Sequence, residues 1–162
     1  MNQSLDESRN RAWKLFLSTH TLLNDRMEAA LAEAGLPNLA WYDVLWTLEQ
    51  APENHLRLHE LADAMIFNRS NLTRLIDRME EAGLVCRKTC RTDRRGAFAG
   101  VTEAGLAMRQ KMWMVYSQAI DSYFGQQLQD GEVEILNAAL TKILDHLRVQ
   151  AVSTQKTPAP YN

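Results

Sequence analysis

Between residues 58 and 83 the chain carries two short amphipathic repeats with almost no room between them. Leu58, Leu61, Ala62 and Met65 recur at i, i+3, i+4 and i+7, leaving His59, Glu60 and Asp63 on the outer side. Leu72, Leu75, Ile76 and Met79 repeat that spacing, which predicts a helix over about 69–82 ended by Gly83. Ile66, Phe67 and Asn68 are left for a tight turn, with Asn68 as the expected N-cap of the second helix. Two short helices joined in this way form a helix-turn-helix unit.

The second of these helices decides the functional reading. With Leu72, Leu75, Ile76 and Met79 inward, its other face presents Ser70, Asn71, Thr73, Arg74, Asp77 and Arg78. Most of these side chains are of the types that reach base edges and phosphates, and a helix fits the B-form major groove. Leu84–Thr89 then reads as a strand, residues 90–96 (CRTDRRG) as a polar turn, and Ala97–Thr102 as a weaker second strand. This is a two-stranded hairpin, a wing, with Arg94 and Arg95 at its tip. Arg95 suits insertion into a narrow minor groove and Arg94 a phosphate. Asp93 would repel phosphate, so its expected role is to pair with an arginine such as Arg78. The net charge of −2 looks wrong for such a partner, but its distribution answers the objection. Residues 69–95 hold eight basic and four acidic side chains, a surplus of four positive charges, so the remainder carries six negative ones. Local field governs contact with a phosphate backbone. The expected DNA contacts are Asn68, Arg69, Ser70, Asn71, Thr73, Arg74, Arg78, Arg91, Arg94 and Arg95.

Long helices flank this lobe. Trp13, Phe16, Leu17, Leu23, Met27, Leu31 and Ala34 predict one over about 5–34, stopped by Gly35 and Pro37. Residues 39–50 (LAWYDVLWTLEQ) predict a helix apolar nearly all round and therefore largely buried. Thr102 caps a helix over about 103–124, and Asp130 caps a last one over about 131–149. The expected architecture is mainly α with a small β-hairpin wing. A winged helix-turn-helix lobe spans 39–102, helical dimerisation regions span 5–34 and 103–149, and a flexible tail spans 150–162. The end helices are apolar over faces wider than a small core consumes, which points to a homodimer. No apolar run approaches the ~20 residues of a membrane span, and the two cysteines fit a reducing cytoplasm.

The segment Asp93-Arg94-Arg95-Gly96-Ala97-Phe98-Ala99-Gly100-Val101-Thr102-Glu103-Ala104-Gly105 resembles the wing pattern D-x-R-G-x-x-(V/A)-x-L-T-x-x-G of the MarR family. Leu72–Val85 resembles that family's recognition helix and its exit, and His59-Glu60-Leu61-Ala62 the helix before it. Val101 in place of Leu and Gly100 in place of a polar residue depart from the pattern. The likeness in helix order runs over about 10–148, and the specific motifs over 58–105. The resemblance implies a dimer with intertwined end helices, a palindromic double-stranded operator, and repression relieved by a small, often aromatic ligand. The matching ligand positions are Arg11, Trp13, Leu17, His20, Trp41, Tyr42, Trp46, Met112, Trp113 and Tyr116. There a planar carboxylate or phenol would meet aromatic walls, His20, and a positive charge from Arg11 or Lys14.

Other readings are weaker. Cys86 and Cys90 lie four apart on the expected strand beside Arg87, Lys88 and Arg91, a setting for a redox-responsive regulator, though too far apart along one strand for a direct disulfide. His55, His59, Glu60 and Asp63 lack assured ligand geometry, so no metal and no cofactor are expected. No Gly-rich phosphate loop, Cys-x-x-Cys, His-Glu-x-x-His or nucleophile elbow supports an enzyme. The alternative to DNA binding is a winged-helix module that binds protein.

Overall fold

Helix α1, Glu7–Glu33, begins at Asp6, whose carboxylate accepts from the Arg9 amide at 2.9 Å and pairs with the Arg9 guanidinium. The computed structural model of this chain describes residues 5–65, 71–89 and 97–154. Only Met27 and Leu31, near its end, are buried on α1; residues 11–20 are exposed on every side. Gly35, at φ +67°, reverses the chain, and the Leu36 amide returns to the Leu31 carbonyl at 2.9 Å. Helix α2, Leu39–Gln50, is capped by Asn38 and also by α1, since both Glu28 carboxylate oxygens accept from the Leu39 amide at 3.2 Å. As the sequence predicts, α2 is largely buried.

After a 3₁₀ turn at Pro52–Asn54 comes strand β1, His55–Arg57, then helix α3, Leu58–Ala64. Helix α4 is Leu72–Glu81, and strands β2, Val85–Thr89, and β3, Ala97–Val101, follow. Two expectations need correction here. The sheet has three antiparallel strands in the order β1-β3-β2, with Leu56 opposite Ala99 and Arg87 opposite the same residue on the other edge. The expected hairpin is therefore widened by a strand that precedes α3. Helix α4 starts at residue 72 and not 69, because Asn71 adopts a left-handed conformation, φ +67°, that no helix continues through. The expected cap Asn68 and the turn before it lie outside the described residues.

Gly83, at φ +73°, ends α4, and the Leu84 amide closes back on the Met79 carbonyl at 2.9 Å. Thr102 then joins three elements. Its hydroxyl donates to the Gly83 carbonyl at 2.7 Å and accepts from the Gly105 amide at 3.0 Å, so it caps helix α5, Glu103–Tyr123, as expected. Leu31, Leu39, Val44, Leu45, Leu48, Leu61, Ile76, Met79 and Met112 are sealed from solvent in one core. That core is fed by the end of α1 and by α2 to α5 with the sheet. Residues 124–162 form a separate unit built on helix α6, Asp130–Thr154. Asp130 belongs to the helix and does not precede it; Glu132 closes the turn by accepting from the Gln129 amide at 2.9 Å. The helix also continues five residues past 149, into the stretch read as tail, because Ala151-Val152 keeps helix-compatible residues ahead of the prolines.

Candidate nucleic-acid interface and aromatic cavity

Helix α4 separates its residues cleanly. Leu72, Leu75, Ile76 and Met79 are at most 7% exposed, while Asn71, Thr73, Arg74 and Arg78 face solvent. Asn71, Arg74 and Arg78, spaced by three and four, line one shallow surface groove with Asp77. The structure thus brings together three of the expected DNA contacts, Asn71, Arg74 and Arg78, with Thr73 exposed on the same helix. Asn68, Arg69, Ser70, Arg91, Arg94 and Arg95, with Asp93, lie outside the described residues.

The sequence reading missed Arg87 on β2. Its amide donates to Glu80 Oε1 at 2.9 Å, its Nη1 donates to Glu80 Oε2 at 3.2 Å, and its Nη2 pairs with Asp77. The acids of α4 therefore hold the first wing strand. The signal was available: Asp77 and Glu80, spaced by three, form a carboxylate pair on the flank of α4 facing the chain that leaves it.

A second feature lies between α2 and α5. Tyr42, Asp43 and Trp46 from α2 face Arg109, Trp113, Tyr116 and Ile120 from α5 across a cavity of about 370 Å³. The spacings of three and four put each set on one helix stripe. Tyr42 meets Tyr116 edge-on at 5.1 Å and stacks near Trp113 at 6.2 Å, and Trp113 meets Tyr116 edge-on at 6.0 Å. Arg109 is paired with Glu49: its Nη2 donates to Oε1 at 3.0 Å, and its Nε lies 2.7 Å from Oε2 as an ion-pair contact without a hydrogen bond. Burial pushes the Tyr116 phenol above its ordinary pKa, and the fields of Tyr42, Asp43 and Glu28 push the same way. Burial also raises Tyr42, against an opposing hydrogen bond and charge from Arg109.

Of the expected ligand positions, Tyr42, Trp46, Trp113 and Tyr116 line this cavity. Met112 is sealed in the core, and Trp41 packs against it half-buried. Arg11, Trp13, Leu17 and His20 stand on the exposed part of α1, where Trp13, Phe16 and His20 stack in a row. The cation at the cavity is Arg109, which the sequence reading did not name; its place four residues before Trp113 on the same stripe was the clue. Asp43 and Ile120 were also missed.

Cys86 is half-buried on β2, and Cys90 is outside the described residues. His55 sits against the Phe98 ring at 5.6 Å. Among the described residues no three metal-ligating side chains converge, and no helix is long and apolar enough to cross a membrane.

Comparison with known proteins places this arrangement. The MarR family model matches residues 38–96. The crystal structure of AbsC, a MarR family transcriptional regulator from Streptomyces coelicolor, is 33% identical, with 91% of this chain and 99% of that one covered at a TM-score of 0.78. The chain belongs to the MarR family. Among other MarR-family structures, that of Sco3205 from the same organism, in complex with DNA, shares the fold at a TM-score of 0.81 and 24% identity, covering 91% of this chain and 92% of that one. The HTH-type transcriptional regulator PrsX of Escherichia coli is 29% identical over 134 residues, 83% of this MarR-family chain and 80% of PrsX. The chain is thus a MarR-family DNA-binding transcriptional regulator.

Proposed function

We propose that this regulator is a repressor that binds a palindromic operator as a homodimer and is released by a small aromatic ligand. The observation that carries the DNA half of this reading is the division of α4. Its four apolar side chains are buried and its hydrogen-bonding and basic ones are exposed, at the major-groove-reading position of a winged helix. Asn71, Thr73, Arg74 and Arg78 are the proposed base and phosphate contacts on this helix, with Asn68, Arg69 and Ser70 before it. Arg91, Arg94 and Arg95 are the proposed contacts of the wing. Helices α1 and α6 each offer apolar side chains to a second copy, and two-fold symmetry would set two reading helices about one DNA turn apart. That a MarR-fold neighbour was crystallised in complex with DNA agrees with this reading.

The ligand half rests on the α2–α5 cavity, an aromatic-lined space with a few convergent polar groups, as small-molecule sites commonly are. It touches α5 and α2, which pack on the elements that carry α4, so an occupant can bias the angle of the reading helices.

The test is a gel-shift and salt titration of the purified protein on its own upstream region. A specific complex should weaken steeply with salt as phosphate contacts release counterions. Arg74→Ala should lower operator affinity by ~1–3 kcal/mol if Arg74 reads a base. A salt-insensitive, sequence-blind signal would instead favour the protein-binding module. Transcription in vitro from the same region separates repression from activation.

A further inference from the structure

We propose that the α2–α5 cavity selects neutral phenolic aromatics and rejects aromatic carboxylates, because its Arg109 is already ion-paired with Glu49, beside the buried Asp43. This rests on reading the cavity as the effector site. The charge inventory carries it. Arg109 is the one cation among the described lining residues, and it is paired with Glu49: Nη2 donates to Oε1 at 3.0 Å, and Nε lies 2.7 Å from Oε2 as an ion-pair contact without a hydrogen bond. The pair is largely removed from water, with side-chain exposures of 16% and 24%, so solvent screens it weakly. Asp43, at 1% exposure, places a carboxylate in the wall itself.

A carboxylate entering this space would lose its hydration and meet a cation already neutralised by a better-placed acid. To recruit Arg109 it would have to displace Glu49, leaving that side chain half-buried without its partner. A neutral phenol meets none of these costs. Its hydroxyl can donate to an acid of the wall and accept from a remaining Arg109 N–H, since a guanidinium has five donors and Glu49 takes one, at Nη2. Its ring packs among Trp46, Trp113 and Tyr116.

The experiment uses two probes of one shape and different charge, 4-hydroxybenzamide and 4-hydroxybenzoate, titrated by calorimetry at pH 7 into the wild-type protein, Glu49→Gln and Ile120→Trp. The expected result is that the amide binds wild type at least ten times more tightly than the acid. Glu49→Gln, which frees Arg109, should narrow that gap by improving the acid. Ile120→Trp, which pushes a bulky ring into the lining, should abolish amide binding. If the acid binds wild type as well as the amide does, and Ile120→Trp abolishes both, the charge selection is wrong while the effector site stands. If neither probe binds wild type, or if binding survives Ile120→Trp, the cavity is not the effector site and the proposal falls with it. Should Glu49→Gln fail to fold, the amide-against-acid comparison on wild type and the Ile120→Trp titration still decide.

Discussion

Gly105 shows how one residue can fix the junction between the wing and the long helix behind it. A Cβ there would stand 2.1 Å from the Leu84 carbonyl oxygen and 2.7 Å from Val101 Cγ2. Helix propensity alone would favour alanine at this position by ~1 kcal/mol. Sterics oppose it and win, because the nearest atom is backbone, in the loop closed by the Thr102 amide on that same carbonyl at 3.1 Å. Gly105→Ala should therefore lower stability by ~1–3 kcal/mol in urea unfolding, as overpacking does. A neutral or stabilising result would mean the junction yields freely. The tyrosines offer a second residue-level test. Tyr42 and Tyr116 are raised from the ordinary 10.0 chiefly by burial, so above pH 10 the native chain holds protons that the unfolded chain releases. Their contribution to stability is complete below that pH and declines as pH rises beyond it. An ultraviolet titration should show late ionisation above pH 10, and Tyr42→Phe and Tyr116→Phe should each remove part of it. At this scale the sequence revealed the aromatic members of the cavity but not its cation. Tryptophans and tyrosines stand out by type, whereas Arg109 is one of many basic residues until Trp113 and Tyr116 are seen to share its stripe.

Among the elements, α4 and β2 are joined by Arg87, and the joint makes a prediction whose sign is informative. Glu80 accepts from both the backbone and the side chain of Arg87, and Asp77 takes the other end of the guanidinium. These side chains are a third to nearly half exposed, so Glu80→Ala should cost no more than ~1 kcal/mol of stability. Simple Coulomb reasoning says that deleting an acid beside a DNA surface raises affinity. If Glu80 instead holds the wing strand at its angle to α4, operator affinity should fall several-fold in a gel shift, with faster exchange of the Arg87 amide. A gain in affinity would reduce Glu80 to a bystander charge. The helices were readable in the sequence because each contrasts a buried stripe with a polar one, and α4 does so without exception. Strand β1 was not, because His55-Leu56-Arg57 is too short to display a period and becomes a strand only by pairing with Phe98, Ala99 and Gly100. The start of α4 was misjudged for a related reason. Arg69 and Ser70 are compatible with a helix, and nothing local announces that Asn71 turns left-handed.

At the scale of the molecule the unsolved surface is apolar. Trp13, Leu15, Phe16, Leu17 and Leu22 on α1 are 44–64% exposed, and Leu140, Ile143, Leu144 and Leu147 on α6 are 39–57% exposed. The α6 set recurs at i, i+3, i+4 and i+7, the spacing of a face made to be covered. Isolated exposed leucines are ordinary, but contiguous stripes of this kind mark an association surface. A symmetric homodimer is the expected cover, and it also supplies what operator binding needs, two reading helices on one duplex. Leu144→Glu combined with Leu147→Glu should therefore give a monomer in sedimentation equilibrium. It should leave the main core intact, because neither side chain belongs to the buried cluster and both lie in the separate unit of residues 124–162. Operator affinity should then collapse by orders of magnitude, since each half-site alone retains only one helix and one wing. Circular dichroism close to that of wild type would separate lost assembly from lost folding. A double variant that stays dimeric would place the interface on other residues, with the aromatic row of α1 the first to be tried.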